Sequence, residues 1–121
     1  MTVAFSATGS DLNSDLDQRF GRAKQFILID TETNAATILE NSQNMNAAQG
    51  AGIQAAQNVI NAGADAVVTG NCGPKAFQVL QAAGVKIYHT SEHKTVADAL
   101  KAVLEGKLQE ADSANVEAHW S

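Results

Sequence analysis

The stretch ADAVVTGNCGPKAFQVLQAAGVKIYHT, Ala64 to Thr90, decides the fold. It opens on the short apolar run ADAVVTG, which predicts a strand. It then turns through Gly70, Asn71, Cys72, Gly73 and Pro74, and changes period. Ala76, Phe77, Leu80 and Ala83 recur at helical spacing, and Gly84 supplies the stop. Pro74 suits the first turn of that helix, where an N–H has no intrahelical acceptor to lose. VKIYHT is a second apolar strand. Two strands separated by a helix predict a parallel pair joined by a right-handed crossover.

Working outward, Thr2 to Ala7 alternates Val3, Phe5 and Ala7 and ends at Thr8-Gly9-Ser10, a strand entering a loop. A long polar connection, SDLNSDLDQRFGRAKQ, follows. Connections of that length in a small domain are commonly functional. FILID and ATILE flank the turn-forming TETN and predict a β-hairpin. Ile53, Ala56, Val59 and Ile60 then predict a helix closed by Ala62-Gly63. Val96, Ala99, Leu100, Val103 and Leu104 predict a last helix, opened by Thr95 with Asp98 as in a capping box and ended at Gly106. The order β-β-β-α-β-α-β-α predicts one α/β domain with a mixed five-stranded sheet flanked by helices. Residues 1–108 form the expected domain. The polar remainder, 109–121 with Trp120, is expected to be a mobile tail.

The chain of 121 residues fits one domain, and its 45% hydrophobic and 17% charged content is that of an ordinary soluble protein. A net charge of −5 argues against nucleic acid or an anionic membrane as partner, since both need clustered Lys and Arg. The single cysteine excludes a disulfide framework and a CxxC pair. With no apolar run long enough to span a bilayer and an opening that reads as a strand, a cytoplasmic location is expected.

Ligands of open α/β sheets favour the crevice beyond the carboxyl ends of the parallel strands. Thr8-Gly9-Ser10, Gly70 to Pro74 and His89 to Lys94 converge there, and Gln49 to Gly52 can reach the same rim. Glycines admit a ligand close to the backbone, and a helix start offers N–H groups to an anion. GNCGPK lacks the spacing of a nucleotide-phosphate loop. Cys72 is open to three readings: a nucleophile, a soft-metal ligand or a small loop residue. His89 and His93, four residues apart, would supply an open metal site, not a closed one. Arg19, Arg22 and Lys24 form the densest basic cluster, either a solvated surface or an anion clamp. Asp11, Asp15 and Asp17 lack the spacing of a calcium loop. The first strand carries no carboxylate, which excludes a two-metal nuclease.

The combination of SATGSDLNSDLDQRFGRAKQFILID, AAQGAGIQAAQNVINAGADAVVTGNCGPKAFQVLQAAGVKIY and TVADALKAVLEGKL resembles the dinitrogenase iron–molybdenum cofactor biosynthesis domain, which includes NifX-like carriers and the C-terminal part of NifB-type proteins. The resemblance runs to about Leu108. It implies a ribonuclease H-like fold and a non-enzymatic role: binding, carrying or protecting an anionic molybdenum-containing metal–sulfide cluster, of molybdenum–copper sulfide or iron–molybdenum type. The implied cluster-binding residues are Thr8, Gly9, Arg19, Arg22, Gly50, Gly52, Asn71, Cys72, Gly73, Lys75 and His89, with Cys72, His89 and His93 as metal contacts. Cluster donor or acceptor proteins are the implied partners of a monomer or weak dimer. Nitrogenase-linked relatives often carry His-Phe-Gly where Arg19-Phe20-Gly21 stands. Arginine cannot ligate a metal but can pair with a sulfide-rich anion, which implies an outer-sphere hold. The alternatives are a regulatory interaction module without metal and an enzyme dependent on the Cys72 thiol.

Overall fold

A computed structural model describes residues 1–42, 50–90 and 94–111. Its strands are β1 (Thr2–Ala7), β2 (Gln25–Asp30), β3 (Ala36–Glu40), β4 (Ala66–Thr69) and β5 (Lys86–His89). Its helices, among the described residues, are α1 (Ala51–Asn61), α2 (Pro74–Ala82) and α3 (Val96–Leu104). Strand order is β3-β2-β1-β4-β5. The hairpin pairs are antiparallel, and β1 pairs β4, and β4 pairs β5, in parallel. Single-domain α/β architecture with a mixed sheet is therefore observed as expected. No helix among the described residues is long and apolar enough to cross a membrane.

Strand alternation divides the core into two layers. Ala4, Phe26, Leu28, Val67 and Ile87 face α1 and α2, joined there by Ala55, Val59, Phe77 and Leu80. Val3, Phe5, Ile27, Ile29 and Val68 face α3 through Val96 and Ala99. β1 and β4 lie in the interior of the sheet with helices on both faces, so their residues are buried almost without interruption. β3 lies at an edge and is largely exposed.

Several local expectations shift. Gly52 lies in the first turn of α1, not in a loop, and is buried with Ala51, Ala55, Ala56 and Val59. The small residues, not Ile53, turn inward there because α1 packs closely beside α2. Leu104 is 56% exposed, so the stripe of α3 ends at Val103, one residue early. The boundary at Leu108 also moves: Glu110 bridges to Tyr88, and Ala111 N–H donates to Ile87 O at 2.7 Å. Residues 109–111 thus follow β5 instead of leaving as a tail. Trp120 and the rest of the expected tail lie outside the described residues.

Candidate functional site

Chain direction places the amino ends of all three helices at the carboxyl ends of β1, β4 and β5. This rim therefore collects the positive ends of three helix dipoles. The long connection between β1 and β2 decides which remain available. It turns back along β1, with Thr8 N–H donating to Asp15 O at 3.0 Å and Asp17 N–H to Ser6 O at 2.7 Å. Its carbonyls then close α3: Val96 N–H donates to Ser14 O at 3.0 Å and Ala97 N–H to Leu12 O at 2.8 Å. Thr95 Oγ1 accepts from Asp98 N–H at 3.1 Å, the expected cap. Among the described residues, neither α1 nor α2 has a side-chain cap, each starting at a glycine. Gly50, in the left-handed region at φ 79°, starts α1, and extended Gly73 starts α2. The first-turn N–H groups of those two adjacent helices lack intrahelical acceptors and suit an anion.

Two hydroxyls and a plug hold the connection over the rim. Ser6 Oγ lies 2.7 Å from both Asp17 O and Thr69 Oγ1. The connection is thus fastened to β1 and β4 together. Phe20 is fully buried, its ring centroid 5.1 Å from that of Phe26. Phe20 N–H donates to Asn71 O at 3.0 Å, and Asn71 Nδ2 donates to Gln18 O at 2.8 Å. Farther on, Asn41 Nδ2 donates to Ala23 O at 2.8 Å. Phe20-Gly21-Arg22-Ala23 therefore buries Phe20, Gly21 and Ala23 while leaving Arg19 exposed and Arg22 half-buried. Gly70 is required where the strands meet this crossing, because a Cβ there would lie 2.8 Å from the Gln18 Cα.

The sequence candidates separate accordingly. Arg19 and Asn71 are brought together as a backbone bridge, with Gly73 and Lys75 continuing from Asn71 into α2. Neither Arg19 nor Lys75 forms an ion pair among the described residues, where the pair found is Lys107 with Glu105 at the far end of α3. Thr8 and Gly9 do not join this group. Their polar and steric contacts are spent on Asp15 and Ser14, beside the closed start of α3. A cavity of about 230 Å³ on that side is lined by Asp15, Leu16, Gln18 and Lys94, one charge of each sign. A larger cavity, about 310 Å³, opens near Thr2 and Ala35 at the opposite end of the sheet. Gly50 and Gly52 occupy the α1 start. His93 lies outside the described residues.

Cys72 sits apart from the rim. The turn from β4 into α2 points its side chain inward among Phe20, Ala23 and Phe77, with no exposed surface. Burial pushes its pKa up to about 12, so the thiol is protonated at neutral pH. Its Sγ donates weakly to Gly73 O at 3.7 Å. A buried neutral thiol disfavours the nucleophile and rim-ligand readings in this conformation and fits the small loop residue best.

His89 ends a row on the α1/α2 face formed by Phe26, Ser6, Thr69 and His89 on adjacent strands. Its ring lies 6.4 Å from that of Phe77, and its buried Nε2 has no hydrogen-bond partner among the described residues. Burial lowers its pKa, which favours neutral imidazole, the form that ligates metals. Because the unfolded chain takes up this proton first, stability should fall as pH drops below about 6.5 toward the lowered folded value. Urea midpoints across that window should vary less with pH in His89→Phe than in the wild type. An unchanged pH dependence would contradict the burial argument. Asp17 shows the opposite case. Burial raises its pKa, while the N–H and charge of Arg19 pull it back.

Sequence reasoning missed the plug function of Phe20. An aromatic residue within an otherwise polar connection, followed closely by Gly and Ala, was the available signal. It also missed the difference between open and closed helix starts, which depends on where the connection lies.

Residues 1–106 match the family model described as dinitrogenase iron-molybdenum cofactor. The apo form of the orange protein from Desulfovibrio gigas is 41% identical, with a TM-score of 0.92 over 95% of this chain and 96% of that one. A candidate NifB protein from Thermotoga, solved by NMR, is 37% identical with a TM-score of 0.83, covering 96% and 97%. An uncharacterized protein of Methanocaldococcus jannaschii is 31% identical over 100 residues, which are 80% of this chain and 83% of the relative.

Proposed function

We propose that this chain, which belongs to the dinitrogenase iron-molybdenum cofactor family, binds and carries a preassembled anionic molybdenum-containing metal–sulfide cluster without catalysing a reaction on it. The observation that carries this reading is the pair of uncapped helix starts, α1 at Gly50 and α2 at Gly73, on the same face as the Arg19–Asn71 bridge. Backbone N–H groups and the Arg19 and Lys75 charges would hold the sulfide surface. Arg22, half-buried between Gly21 and Ala23, adds charge on the same connection.

The donor set favours this outer-sphere hold. Among the described residues, no three His, Cys, Asp or Glu side chains gather as a metal site. The cluster would therefore bring its own sulfides, and the protein would select it by charge and shape. His89, with its unpartnered Nε2, is the direct metal contact best supported by local chemistry. Of the two forms implied by the sequence resemblance, molybdenum–copper sulfide is the one in keeping with Arg19 in place of a ligating histidine. A cluster donor or acceptor protein would complete the carrier cycle.

Reconstitution of the purified chain with tetrathiomolybdate and copper(I) should give a visible absorption band that comigrates with protein at fixed stoichiometry. Failure to form a coloured complex would reject the molybdenum–copper form. Metal analysis after purification without oxygen would then test the iron–molybdenum alternative.

A further inference from the structure

We propose that β3 is a self-association edge through which two copies of this chain pair antiparallel about Ile38. The hydrogen-bond phase of the hairpin supports this arrangement. Asp30 N–H donates to Ala35 O at 2.9 Å, and Asn41 N–H donates to Lys24 O at 3.1 Å. Combined with the pairs Phe26–Leu39 and Leu28–Thr37, these bonds direct the polar backbone groups of residues 35, 37, 39 and 41 toward β2. The N–H and C=O groups of Ala36, Ile38 and Glu40 consequently point away from the sheet. No strand pairs with that edge among the described residues. The other edge is partly covered, since Glu110 and Ala111 follow β5.

Exposed edges are commonly protected by Lys, Pro or a bulge. β3, with the sequence ATILE, has none of these, and Ile38 is one of the exposed large hydrophobic residues. A two-fold axis at Ile38 pairs Ile38 with Ile38 of the second copy and Ala36 with Glu40 of the second copy, twice. Each outward N–H then meets a carbonyl, and the two Ile38 side chains meet on one face. Glu40 faces alanine and not another carboxylate. Centring the axis on Glu40 would oppose like charges. Centring it on Ala36 would set Ile38 against Asn34, which lies in the turn at φ 62°. The sequence is therefore self-complementary in the register that uses all of β3.

A ladder of this length buries too little surface for an obligate dimer, so the association is transient. Because the two β3 strands run in opposite directions, the two rims lie at opposite ends of the joined sheet and stay open. Self-association and cluster binding are thus independent.

Sedimentation equilibrium should show a concentration-dependent dimer of the wild-type chain. Ile38→Lys and Ala36→Pro should each raise its dissociation constant at least about ten-fold. Proline is tolerated at the first residue of an edge strand, so Ala36→Pro should keep the unfolding midpoint close to wild type. Hydrogen exchange at the Ala36, Ile38 and Glu40 amides should slow as concentration rises, while exchange at Thr37 and Leu39 stays constant. A chain that remains monomeric up to roughly millimolar concentration, where affinities of about 4 kcal/mol become visible, overturns the proposal. So does a dimer that both substitutions leave intact, or one in which exchange at the outward amides does not change.

Discussion

Phe20→Ala is expected to remove about 3–5 kcal/mol of folding stability, the range for deleting a fully buried aromatic side chain. Loss of the ring opens a cavity within the core cluster and removes the tilted contact with Phe26. The effect should extend beyond stability. Phe20 is the apolar anchor of the connection that carries Arg19 and bridges to Asn71. The variant should therefore bind cluster poorly even under conditions where it remains folded. Phe20→Leu keeps most of the volume and should recover much of both properties. Urea unfolding and a binding titration on the same samples would test the link. A destabilised variant with wild-type affinity would show that Phe20 holds the core but does not hold the site.

The second large effect is on binding alone. Arg19→Glu combined with Lys75→Glu should weaken cluster affinity at least about 100-fold. Hydrogen bonds to charged groups are each worth about 1.5–3 kcal/mol, and reversal adds repulsion to their loss. Both side chains are exposed and outside ion pairs among the described residues, so stability should fall by no more than about 1 kcal/mol, most of it from the Arg19 charge that interacts with Asp17. Wild-type affinity should also fall with ionic strength, as expected for exposed charges. Titration of the reconstituted complex at two salt concentrations measures both trends. An unchanged affinity in the double variant would leave the backbone N–H groups and His89 to account for binding.

The hairpin and the β4–α2–β5 unit were legible because periodicity, turn residues and Pro74 all indicated the same elements. Local signals served less well where packing chose between residues. On α1, Ile53 carried the stronger hydrophobic signal, yet Gly52 and Ala55 face inward because the helices lie close together. Cys72 was ambiguous because a glycine-rich turn can direct a side chain toward either the rim or the core. Its side chain joins the core cluster that Phe20 reaches from a distant segment. Likewise, Thr8 and Gly9 looked equivalent to Asn71 and Gly73 as loop residues. The path of residues 11–20 separated them, and no periodicity encodes that path.

The Ser6–Thr69–Asp17 fastening has a consequence for the order of events as the chain is made. The hydroxyls that secure the connection sit on strands 63 residues apart, and the parallel β1–β4 pairing must exist before both can act. Contacts closing such long loops incur their entropic cost before they return stabilisation, and so tend to form late. A nascent chain that ends before β4 can make the hairpin but not the completed rim. Readiness to accept cargo would therefore mark a chain that has passed β4 and the helix start after it, and a reactive cluster would find no complete site on a shorter one.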